Sequence, residues 1–93
     1  MKVSDWKARK KQLKKMKEKI DELELRIRDY EDELRKAKRE VHQAIYDRDV
    51  NKYNEGIRKV VDLRTKIDVL RSILKDMKAD YEKAYWNNVV QHI

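Results

Sequence analysis

From Trp6 to Ala44, apolar side chains recur at alternating steps of three and four, a spacing that returns each of them to one stripe of an α-helix. With Leu13 taken as heptad position a, the a series reads Trp6, Leu13, Ile20, Ile27, Leu34, Val41 and the d series Arg9, Met16, Leu23, Tyr30, Ala37, Ala44. Arg9 is the one interruption. A second series opens at Tyr53, with a positions Tyr53, Val60, Ile67, Leu74, Tyr81, Asn88 and d positions Gly56, Leu63, Leu70, Met77, Ala84, Gln91. It holds its phase until its polar end. Two sustained a/d seams predict an all-α coiled coil, and a chain with no Pro and a single Gly offers almost nothing to break either helix.

Between the seams lies Asp47-Arg48-Asp49-Val50-Asn51, where the first phase runs out and side chains suited to helix N-caps appear. The spacing places helix 1 over about 5–46, a turn over about 47–51 and helix 2 over about 51–91, all in one domain spanning 1–93. Ser4 is the expected cap of helix 1, with Asp5 favourable to the helix dipole in its first turn. Helices of 40–45 residues would each reach roughly 60–65 Å at 1.5 Å per residue.

So short a connection makes the helices antiparallel neighbours. Of the registers in which facing residue numbers add to a constant, 97 fits throughout, setting Ala44 opposite Tyr53, Ala37 opposite Val60, Leu34 opposite Leu63, Ile27 opposite Leu70, Ile20 opposite Met77 and Leu13 opposite Ala84. Small faces large at several layers. The flanking e and g positions agree: Glu24 meets Arg71, Glu31 meets Arg64, Glu33 meets Lys66, Glu40 meets Lys59, Asp47 meets Lys52 and Lys19 meets Asp80, whereas Lys17 near Lys78 is repulsive. Exposed pairs contribute only about 0.2–1 kcal/mol each, but their shared sign favours this register over slipped ones. The fold class expected is an antiparallel two-helix coiled-coil hairpin.

Several large apolar residues fall off the seam. They group near the turn (Ile45, Tyr46, Ile57, Val61) and at the open end (Val3, Tyr85, Trp86, Val89, Val90, Ile93), with Val69 and Ile73 as a smaller pair between. Burying a Trp or Ile is worth roughly 1.5–3 kcal/mol, so the open-end residues, together with Trp6, are the expected self-association and docking surface. A homodimer pairing two hairpins as a four-helix bundle is the simplest geometry.

Catalytic chemistry finds little to work with. There is no Cys, and His42 and His92 have no partner at metal-ligand spacing; Ser4, Ser72 and Thr65 have no His/Asp pair beside them, and Gly56 alone makes no phosphate loop. A non-enzyme without metal or cofactor is expected. No apolar run has the length of a signal peptide or a membrane span, which leaves a cytoplasmic protein as the expectation.

Charge points to a second function class. Residues 1–19 hold nine Lys/Arg and two Asp/Glu, so they carry the entire +7, and the remaining 16 basic and 16 acidic side chains cancel. Lys7, Arg9, Lys10, Lys11, Lys14, Lys15, Lys17 and Lys19 coat most of the helix outside its seam, too broadly for a membrane-facing stripe. Dense lysine on a helix neutralises phosphates without reading sequence, and Trp6, Tyr85 and Trp86 offer rings on which unpaired bases stack. The leading expectation is a protein-protein scaffold that docks its partner through the open end. The alternative is sequence-nonspecific nucleic-acid binding through residues 7–19, for which small helical-hairpin dimers that bind RNA are an architectural analogy alone.

A further alternative rests on Asp47 and Asp49 at the tip. Such an acidic-tipped hairpin resembles, in architecture only, the coiled-coil fingers of transcription factors that enter the RNA polymerase channel, which would imply a polymerase regulator. No motif around Asp47-Arg48-Asp49 matches that family, and a competing role for Asp49 is to cap helix 2.

Overall fold

The computed structural model describes residues 3–92, with side chains over 6–90. It is an all-α helical hairpin: α1 (Val3–Tyr46) and α2 (Val50–His92) are joined by three residues. Both helices run slightly longer than the sequence suggested. α1 begins at Val3, so Ser4 lies inside it instead of capping it, because nothing in that segment is a helix breaker. The link is 47–49 and not 47–51, since α2 already starts at Val50.

Four hydrogen bonds build this link and start α2. The Asp49 amide donates to the Ala44 carbonyl (2.9 Å) and the Arg48 amide to the Ile45 carbonyl (3.2 Å), the six-to-one and five-to-two bonds of a Schellman motif. Arg48 supplies the left-handed residue that motif requires, with φ at 55°. Asp49 then starts α2: its Oδ1 accepts the Lys52 amide (3.1 Å) and its carbonyl the Tyr53 amide (3.0 Å).

Two compact units divide the chain. The turn unit is Leu25–Arg71 and the terminal unit combines Met1–Glu24 with Ser72–Ile93. Across the described side chains, every a and d residue is buried or half-buried except Tyr53, which is 38% exposed in the first turn of α2. The turn unit seals its seam best, burying Ile27, Ala37, Val41, Ala44, Leu63 and Ile67. Small residues make this possible. A Cβ added to Gly56 would stand 2.6 Å from Cγ2 of Val41, its expected facing residue, so the helix axes are closer here than an alanine would allow. The terminal unit buries Ile20 and leaves Leu13, Met16, Leu23, Leu74, Met77, Tyr81 and Ala84 half-buried.

The expected flanking ion pairs are only partly realised. Lys59 meets Glu40 at 3.9 Å as anticipated. On the e flank the partners shift by one heptad: Glu31 takes Arg71 (3.3 Å) instead of Arg64, and Glu24 takes Lys78 (3.0 Å) instead of Arg71. The cause is geometric. Helical side chains lean toward their own N-terminus, so in an antiparallel pair long side chains on the two helices reach toward each other across several residues of axial offset. The anticipated clash of Lys17 with Lys78 is relieved by the same shift, Lys78 going to Glu24 and Lys17 to Asp21 (3.3 Å). Lys66 lies over the Tyr30 ring, 5.7 Å from its centroid, instead of on Glu33, and Asp47 accepts from Gln43 Nε2 (3.1 Å) instead of meeting Lys52.

Candidate functional site

The terminal unit carries both residue groups singled out for binding. On α1, Lys7, Lys10, Lys11, Lys14, Lys15, Lys17 and Lys19 are all exposed, as their heptad positions outside the seam require. Arg9 behaves differently. Its d position holds it half-buried, in a recess that it lines with Gln12, Leu13, Ala84, Asn87 and Asn88. Asn88 occupies the facing a position, and its Oδ1 is shut off from solvent with no hydrogen-bond partner. A polar layer therefore interrupts the apolar seam at this level, which favours one register at some cost in stability.

Trp6 organises the lysines around it. The Lys10 ammonium sits 5.1 Å from the ring centroid, within cation-π range, and Trp6 shares a shallow recess with Lys7, Lys10, Lys11 and Lys14. Trp6 is half-buried at its a position, so the ring divides itself between seam and surface.

On α2 three aromatic rings form a continuous ladder. Tyr81 and Tyr85, one helical turn apart, stack with centroids 6.4 Å apart and planes 25° from parallel. Tyr85 meets Trp86 edge to face at 5.5 Å. Tyr81 is half-buried in the seam, while Tyr85, Trp86 and Val90 are 44%, 55% and 66% exposed. Val89 is half-buried, which moves it from the outer surface to the shoulder of the seam. The side chains of Val3 and Ile93 lie outside the described residues. The heptad pattern puts Tyr85 at an e position, the flank that Lys10 and Lys17 occupy on α1.

The tip carboxylates are engaged within the turn. Asp49 is half-buried and caps α2, and Asp47 is tied to Gln43. Among the described residues no group of three or more His, Cys, Asp or Glu side chains is placed to hold a metal ion, and no helix is long and apolar enough to cross a membrane. What the terminal unit offers chemically is surface: apolar area, aromatic faces and ammonium groups. Comparison of the chain with protein-family models, curated proteins and solved structures finds no match.

Proposed function

We propose that this protein is a non-enzymatic coiled-coil scaffold that self-associates and docks a partner through its terminal unit. The observation that carries the reading is the exposure of Tyr85, Trp86 and Val90 outside the a and d positions of the seam, to which Tyr81 belongs. These side chains are not needed to join α1 to α2. Each would recover roughly 1.5–3 kcal/mol on burial against another chain. Two hairpins meeting through this surface form a four-helix bundle in which the ladder becomes core. Light scattering across micromolar concentrations tests it: a dimer mass is expected, lowered toward monomer by Trp86→Ala with Val90→Ser. A monomer mass for the wild type at every concentration defeats self-association.

A second reading is favoured by the lysines gathered about Trp6. Exposed ammonium groups beside aromatic faces suit a single-stranded nucleic acid, its phosphates on Lys10, Lys11, Lys14 and Lys15 and a base on a ring. Anisotropy with labelled single-stranded RNA and duplex DNA at low and near-physiological salt separates the two readings. A steep salt dependence that disappears when those four lysines become Gln supports nucleic-acid binding, and absence of binding at low salt leaves the scaffold.

A further inference from the structure

The turn unit carries a feature that the terminal unit's surface does not explain. Along its e flank the pairs that face each other change character in order. Glu31 and Arg71 form a salt bridge at 3.3 Å. At the same one-heptad offset, the next e positions toward the turn are Lys38 and Arg64, a like-charged couple. Both are exposed, and neither takes part in an ion pair among the described residues. The step after that brings Ile45 and Ile57, 56% and 37% exposed, with Val61 (55%) one turn and Val50 (69%) two turns from Ile57 on α2.

A free hairpin gains nothing from this arrangement. Two cations facing across a flank repel, and isoleucines left in water forgo their burial free energy. The pattern does suit a third helix. A helix that meets one neighbour needs a narrow a/d stripe, whereas one that meets two widens its stripe to a, d and e. Val41, Ala44 and Ile45 on α1, with Tyr53, Gly56 and Ile57 on α2, show that widening within the turn unit.

We infer that the e flank of the turn unit is a docking groove for an acidic amphipathic helix of a partner protein, whose apolar stripe covers Ile45, Ile57 and Val61 and whose carboxylates neutralise Lys38 and Arg64. Charge complementarity selects this occupant. A second copy of the chain would bring the same cations to the groove, whereas a helix rich in carboxylates neutralises them. The cations lie one heptad from the isoleucines, so the docked helix needs roughly three to four turns at 5.4 Å per turn. This groove is independent of the terminal unit, and the two surfaces are tested by different substitutions.

The probe is a labelled synthetic helix of about 18 residues with a leucine stripe flanked by Glu, compared by anisotropy with the same helix flanked by Lys. The chain of residues 1–93 is expected to bind the Glu helix about tenfold more tightly than the Lys helix at low salt, with the gap closing as salt rises. Lys38→Glu with Arg64→Glu, both at exposed positions, should reverse that preference while helicity by circular dichroism stays unchanged. Ile45→Ser with Ile57→Ser should remove binding of either helix. The inference is overturned if the charge-reversed variant keeps the preference for Glu, which would place the peptide on the N-terminal lysines. It is also overturned if the isoleucine variant binds as well as wild type. A third contrary result is that the isoleucine substitutions lower the wild type's mass in light scattering while no peptide binds, which would make a second copy the occupant.

Discussion

At the scale of single residues, two positions near the turn are held against their own preferences. Arg48 adopts φ of 55°, where a Cβ crowds the following carbonyl and glycine is the usual choice. Replacing it removes that crowding without touching a hydrogen bond, since the motif uses only its backbone. Arg48→Gly is expected to stabilise the protein by about 1 kcal/mol, raising Tm by about 4–8 °C in a thermal melt. Gly56 is the opposite case. Alanine has the better helix propensity by about 1 kcal/mol, but its Cβ would meet the Val41 methyl at 2.6 Å in a buried layer where the stiff valine cannot turn aside. Gly56→Ala should therefore destabilise, by about 1–3 kcal/mol in urea unfolding, and Val41→Ala should cost less in the Gly56→Ala background than in wild type.

At the scale of the helices, lean decides which ions meet. A double-mutant cycle should find about 0.2–1 kcal/mol of coupling between Glu31 and Arg71, and none between Glu31 and Arg64. Much of the architecture was legible from spacing alone: both seams, the antiparallel turn, the cap at Asp49 and the facing of Val41 with Gly56. The contacts that were misread are those for which a residue number is a poor guide to where a charge ends up. Glu24 and Glu31 find partners one heptad from the expected ones, Lys66 finds a ring one turn from Glu33 and Asp47 a partner on α1, whereas Val41 and Gly56 stay in layer. Arg9 carries the same charge as the exposed lysines, yet its d position draws it into the polar layer opposite Asn88, and periodicity is the better guide to its place. The unpaired Lys38/Arg64 couple emerged only once the bridge from Glu31 to Arg71 set the flank's true offset.

For the whole molecule, the placement of charge matters more than its total. All of the +7 resides in the first nineteen residues, where each lysine repels its neighbours. Screening should relieve that strain. Tm is expected to rise between about 0.01 M and 0.15 M salt, the range over which the Debye length falls from about 30 to 8 Å. Lys10, Lys11, Lys14 and Lys15 changed together to Gln take the net charge from +7 to +3, and the salt-dependent rise should shrink with it. A rise of the same size in that variant would trace the effect to the neutral remainder of the chain.

One residue closes both helices: Asp49 donates the bond that ends α1 and accepts the bond that begins α2. The chain thus reverses with almost no loop, so the entropy of ring closure is at its smallest there and the first contacts to form cost least where the layers are best sealed. Folding should nucleate at Asp49 and propagate outward, with the terminal layers joining last. Two glycines inserted after Arg48 would separate the two roles of Asp49. In stopped-flow refolding such a chain should collapse more slowly, with its unfolding rate little changed, as expected for a contact already formed in the transition state.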